Sequence, residues 1–191
     1  MQNFDQSRRR ALGAGGLGLL SVAAVGVLAG APALAKTKKG ASAADADILN
    51  VALGLEHEAI EAYQIGAESG LLQKPVLDVA VAFQSHHKAH RDALIGAIKS
   101  IGGAPVAPKS RADYLVGLNA AAIKSQADIL KLAQRLERGA ANAYLGVIPS
   151  FKDRALAQVS GRLAADETMH FTVLTQALGE ALPAGALSFG A

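Results

Sequence analysis

The chain has 191 residues, half of them apolar but only 4% aromatic, with no cysteine, no tryptophan and a net charge of +3. That length allows one domain with a proper core. The missing thiols exclude a disulfide framework, a thiolate-held iron–sulfur cluster, a zinc ribbon and a cysteine nucleophile. An Ala- and Leu-rich, aromatic-poor composition disfavours an all-β sandwich.

Residues 1–35 read as an export signal. Ser7-Arg8-Arg9-Arg10 precedes a Gly-rich apolar stretch, and Ala33-Leu34-Ala35 supplies a small-residue cleavage pattern. The paired arginines resemble a twin-arginine signal, although Ala11 stands where Phe is usual. The expected product is periplasmic or otherwise exported, cleaved after Ala35, with a retained membrane anchor as the competing reading. This segment carries Arg8, Arg9, Arg10 and Asp5, so sixteen basic and fifteen acidic side chains remain without it. The basic balance thus belongs largely to the signal, and nothing supports nucleic-acid binding or stable membrane association of the remainder. Residues 36–44 read as a flexible lead-in.

From residue 45 the pattern is helical. Ile48, Leu49, Ala52, Ala59, Ile60 and Tyr63 recur at steps of three and four, and Gly70 and Pro75 punctuate the chain. A second helix is predicted over residues 76–101, with Val79, Phe83, Leu94, Ala97 and Ile98 on its inner face, stopped by Gly102-Gly103-Ala104-Pro105. A third carries Ile129, Leu130, Ala133, Leu136, Ala140 and Tyr144. A fourth carries Leu156, Val159, Leu163, Val173, Leu174 and Leu178 and ends near Leu182-Pro183. No strand-like alternation appears. Residues 183–191 form a C-terminal tail.

The sequence repeats itself. Leu55-Glu56 through Tyr63 matches Leu136-Glu137 through Tyr144 at an offset of 81, and Phe83 through Leu94 matches Leu163 through Leu174 at an offset of 80. His87-x-x-His90 thereby meets Glu167-x-x-His170, with His86 opposite Asp166. Two similar helix pairs imply an all-α antiparallel four-helix bundle over residues 45–182 with pseudo-two-fold symmetry. Joining the pairs requires a crossover of roughly 30 Å, about ten extended or twenty helical residues. The stretch 112–123 either supplies a short helix within it, the preferred reading, or extends the third helix.

Glu56 and Glu137 stand within apolar stripes, as do His90 and His170. An isolated buried carboxylate is costly. Carboxylates and imidazoles converging from four helices form a natural cation site, and Glu167 and His170, three residues apart, point to one place. The five histidines, His57, His86, His87, His90 and His170, all fall in or beside these motifs. Tyr63 and Tyr144 are placed either to hydrogen-bond the site's carboxylates or simply to pack. Glu58 and Glu61 read as surface charges, and His57 as a surface partner of Glu61.

These residues carry a resemblance. The segments Ile48 to Glu56, His86-His87-x-x-His90, Leu136-Glu137-Arg138-Gly139 with Ala143-Tyr144-Leu145-Gly146, and Glu167-x-x-His170 resemble the ferritin-like superfamily of di-iron or di-manganese carboxylate bundles. In particular they are similar to bacterial exported ferritin-like domain proteins, some described as desiccation-related. The resemblance implies metal ligands at Glu56, His90, Glu137, Glu167 and His170, with His87 in place of a bridging glutamate. Tyr63, Tyr144, His86 and Asp166 would support them. It implies one or two divalent ions, iron first, with manganese, zinc or copper as alternatives, and leaves homo-oligomerisation open. The expected function is Fe(II) oxidation or protection against peroxide or metal stress. The alternatives are a structural, stress-protective bundle whose metal site has decayed, and a protein-interaction module, which no isolated apolar surface stripe favours.

Overall fold

The computed structural model describes residues 43–190, which contain five α-helices, two short 3-10 turns and no strand. The export signal, its cleavage site and most of the lead-in lie outside the described residues. We label the helices α1 (Ala43–Glu68), α2 (Lys74–Ser100), α3 (Arg111–Gly117), α4 (Gln126–Val147) and α5 (Arg154–Ala177).

Local chemistry sets the ends. Gly70 and Gly102, at φ of 71° and 81°, take the left-handed conformation that turns the chain out of α1 and α2. Pro75 sits in the first turn of α2, where its missing N–H has no helical partner to lose. Ser110, Ser125 and Asp153 cap α3, α4 and α5 by accepting from the backbone N–H of Asp113, Asp128 and Ala155.

Polar contacts fix the helix directions. Gln84 on α2 donates to Ile60 O on α1, while His87, three residues on, reaches back to Glu56, so α1 and α2 are antiparallel. Ser160 reaches Tyr144 O and Gln134 reaches Thr175, so α4 and α5 are antiparallel as well. Tyr63 with Glu137, and Tyr144 with Glu56, set α1 antiparallel to α4. The tight pairs are α1–α2 and α4–α5; α1 also packs on α4, and of the four neighbouring pairs α2 and α5 touch least. The result is a four-helix bundle made of two hairpins.

The connection between the hairpins, residues 101–125, runs extended from Ala104 to Ser110, then forms α3 and a 3-10 turn at Ala120–Ala122. The short helix in the crossover is therefore separate from α4. Asn50 holds the extended part with both ends of its amide, donating to Ala104 O and accepting from Val106 N. Arg111 binds Glu61 and Glu68, and Tyr114 and Leu118 pack against Ala62, Ile65 and Leu132.

This crossover corrects one sequence expectation. His57 is buried, and its Nε2 contacts Val106 O at 3.2 Å rather than serving as a surface partner of Glu61. The face of α1 that carries it is the one covered by the returning chain. A second correction concerns Val79 and Val173, expected in the core but 36% and 40% exposed. They lie on α2 and α5, the neighbouring pair that packs least closely.

The core divides around the polar centre. At one end Leu49, Leu53, Leu94, Ile98, Leu156 and Leu163 fill the bundle. At the other, Tyr63, Ala80, Phe83, Leu130, Ala133 and Leu174 meet. The C-terminal tail folds back: Phe189 packs edge-on against Phe171, and Arg138 lies over both rings. Among the described residues no helix is long and apolar enough to cross a membrane.

Candidate metal centre

Six polar side chains meet between the two ends of the core: Glu56 from α1, His87 and His90 from α2, Glu137 from α4, and Glu167 and His170 from α5. Each is at most 5% exposed. Helical spacing explains the convergence, since residues three apart (87 and 90; 167 and 170) share one face. The structure brings together all six residues singled out in the sequence. They form two overlapping groups, Glu56, His87, His90, Glu167 and His87, Glu137, Glu167, His170, each with ligand atoms within 4.8 Å of one another.

Glu167 occupies the middle. Its Oε1 lies 3.1 Å from His90 Nδ1 and its Oε2 lies 3.2 Å from His170 Nδ1. One carboxylate thus presents an oxygen to each imidazole. Glu56 and Glu137 flank it, one on each side. His87 spans these two, with Nδ1 2.9 Å from Glu56 Oε2 and Nε2 3.1 Å from Glu137 Oε1.

The outer contacts obey the internal repeat. His90 and His170 are equivalent, and each turns Nδ1 inward and Nε2 outward. His90 Nε2 meets Asp166 Oδ2 at 3.1 Å, and His170 Nε2 meets His86 Nδ1 at 3.0 Å. Asp166 and His86 are themselves repeat equivalents. The tyrosines cross over: Tyr63 of α1 donates to Glu137 of α4, and Tyr144 of α4 donates to Glu56 of α1. Each tyrosine lies seven residues, about two turns, from the glutamate of its own helix, and the antiparallel partner brings the other glutamate alongside. The reciprocal exchange was not visible from spacing alone; it needs the direction of α4 relative to α1.

Electrostatics follow from burial and pairing. Burial raises the pKa of Glu56, but hydrogen bonds from His87 and His90 prevail and bring it down to about 2. Burial likewise opposes the lowering of Glu137, which His170 and His87 carry well below the usual range. Glu167 moves up, because burial outweighs its histidine contacts. Burial disfavours the charged form of His90, yet Glu167 and Glu56 push its pKa to about 10. His87 and His170 also rise, against the effect of burial, through Glu137 and the neighbouring carboxylates. Burial and the adjacent Glu137 or Glu56 raise both tyrosines, which remain neutral donors. His86 shifts down through burial and the proximity of His170.

Among the described residues no buried side-chain polar atom lacks a partner. The histidine protons meet the cluster's hydrogen-bonding demand, and an ion would replace those protons at the same carboxylate oxygens. The donor set, three carboxylates and three imidazoles with no sulfur, suits first-row divalent ions. These buried groups can hold a metal ion. A narrow cavity of about 100 Å³ between α1 and α4 reaches His87 and Glu137, with Glu58, Arg135 and Gly139 around it. Glu58 and Gly139 are repeat equivalents, so the approach is open on the side where the repeat has lost its side chain.

Comparison with known proteins agrees with this architecture. The model of the ferritin-like domain family matches residues 44–180, and the chain belongs to that family. A solved structure of a conserved hypothetical protein, rv2844, from Mycobacterium tuberculosis superposes with a TM-score of 0.60 at 22% identity, covering 75% of this chain and 96% of that one. At that identity the likeness concerns the fold alone. No curated protein matches the chain.

Proposed function

We propose, taking membership of the ferritin-like domain family as the premise, that this protein is exported and binds a divalent metal in the bundle core, where it promotes Fe(II) oxidation by peroxide. The observation that carries this reading is Glu167, whose two oxygens each face the inward nitrogen of one histidine, with both outer nitrogens already engaged. Such outer contacts fix the ring and aim Nδ1 at the centre, where it would act as a ligand.

Charge argues for one resident ion per chain. Three buried carboxylates face His87, which bonds a carboxylate at each ring nitrogen and so acts as an internal cation. The remaining charge of about −2 is neutralised by a single dication. Glu167 and either His90 with Glu56 or His170 with Glu137 would hold it. When bound, the ion supplies a Lewis-acidic centre that polarises peroxide.

The chain's own groups do the rest. The tyrosine hydroxyls orient Glu137 and Glu56, the outer contacts orient His90 and His170, and the packed leucines at one end keep water from the centre. Fe(II) is the substrate: two Fe(II) each lose an electron, and one peroxide with two protons becomes two waters. The twin-arginine-like leader suits a protein exported after folding, with its metal in place.

Fe(II) loss in the presence of peroxide, followed with metal-loaded protein, tests this. Wild type is expected to accelerate it, and His90→Ala and Glu167→Ala to lose the acceleration. One observation favours a second reading. The cluster is fully hydrogen-bonded with His87 as internal cation, as a structural, stress-protective bundle would require. Rates equal to those in buffer, with no ion retained, would establish that reading instead.

A further inference from the structure

The end of the bundle lined by Ala80, Phe83 and Leu130 holds an apolar cavity of about 240 Å³. Protein interiors rarely leave voids much larger than a water molecule, and an empty one costs stability in proportion to its volume. All four long helices contribute walls, which mix buried small side chains such as Ala62, Ala80 and Ala133 with larger ones such as Leu130 and Leu174. The only side-chain polar atom among the lining residues is the Tyr63 hydroxyl, and it is committed to Glu137. Water would find almost no partner inside, so the space favours an apolar guest.

The mouth lies where α2 and α5 pack least closely. Val79 and Val173 form its rim, which explains why two residues on core stripes are more than a third exposed. Ala177 completes the rim with a methyl group only. The floor is Tyr63 and Phe83. Phe83 stacks on the His170 ring at a centroid distance of 4.0 Å, and the Tyr63 ring lies 5.4 Å from that of His87.

We propose that this cavity is a binding site for a small hydrocarbon group, an alkyl chain or an arene, held one side-chain layer from the His/Glu cluster. A cavity of roughly 150 Å³ lined by aliphatic side chains binds benzene, so this larger one fits a group of roughly six to ten carbons. The walls enclose the guest among four helices, and the volume is that of a small molecule rather than of a helix or strand. These features favour a small molecule over a second copy of the chain or its own N-terminal residues. The inference stands on the cavity alone and does not depend on the metal.

The test uses n-octane and naphthalene with both chelated and metal-loaded protein. Binding is read by thermal shift and by the methyl NMR signals of Ala80 and Ala133. Saturable binding should raise the Tm by a few degrees at saturation. The methyl signals should shift with it. Ala177→Phe, which closes the exposed mouth, should weaken binding by about tenfold or more, a change of about 1.4 kcal/mol. Ala133→Phe, which fills the interior, should remove it; if that variant does not fold, Ala177→Phe still decides. Absence of saturable binding to wild type would overturn the proposal, and so would binding undiminished in Ala177→Phe. It is also overturned by a concentration-dependent dimer that Val173→Asp disperses while no hydrocarbon binds. Failure of metal binding with intact octane binding would count against the metal reading alone.

Discussion

The two hairpins of the bundle repeat one design, and they differ where the chemistry would be decided. Glu56 and Glu137 are equivalent, as are His90 and His170, and Tyr63 and Tyr144 exchange their hydrogen bonds across the axis. At the next pair the symmetry fails. Glu167 on α5 is a carboxylate with an oxygen for each side, whereas His87 on α2 is an imidazole with a nitrogen for each glutamate. The outer pair differs too, with Asp166 behind His90 but His86 behind His170. A symmetric fold therefore carries an asymmetric centre, with an acceptor bridge on one side and a donor bridge on the other.

Removing the acceptor bridge should have the largest effect. Glu167→Ala leaves His90 and His170 without their shared carboxylate in a buried site, and breaking such a pairing costs about 3–5 kcal/mol. Urea denaturation of metal-free protein should show that loss, and metal retention should vanish.

The pH dependence of the two states is the next way to sharpen the contrast. In metal-free protein the folded pKa of His90 stands near 10, above its ordinary 6.5, so its stabilisation is complete below about 6.5 and fades as pH rises toward 10. Glu167, also raised, contributes in the same sense from its ordinary value of 4.5 upward. Glu56, lowered to about 2, contributes above 4.5 and loses its effect as pH falls toward 2. Metal-free protein should thus lose stability both above about 6.5 and below about 4.5. Metal competes with protons for the same nitrogens, so the stabilisation that metal adds should grow across the alkaline range where the metal-free form weakens. Melting curves with and without chelator check both signs.

The outer pair should matter less. His86→Ala and Asp166→Asn should each weaken metal binding by about 10–100-fold. The two losses are expected to differ, because a carboxylate raises the basicity of its histidine more than a neutral imidazole does. The smallest effects belong to the tyrosines. Tyr63→Phe and Tyr144→Phe should each cost about 1–2 kcal/mol by depriving a buried glutamate of a donor. Similar values would reflect the repeat.

Much of this was legible in the sequence. Glu56, Glu137, His90 and His170 are polar residues at core positions of apolar stripes, and helical periodicity alone predicts their burial. The repeat alone pairs His87 with Glu167. What stayed hidden depended on contacts between segments distant in sequence. His57 reads as a surface residue because its local partner is Glu61, yet Val106, forty-nine residues away, covers it. Buried Asp45 gave no local sign either, and its Oδ1 accepts from the Lys152 backbone at the far end of the α4–α5 hairpin. Val79 and Val173 occupy correct helical positions, but periodicity cannot show that α2 and α5 splay apart around a cavity.

The number of ions held per chain tests the central claim most directly, measured by elemental analysis of protein purified from its native host beside His87→Glu. The asymmetric centre predicts one ion in the wild type and two in the variant, where a fourth carboxylate replaces the internal cation. Two ions in the wild type, or the same number in both proteins, would contradict it.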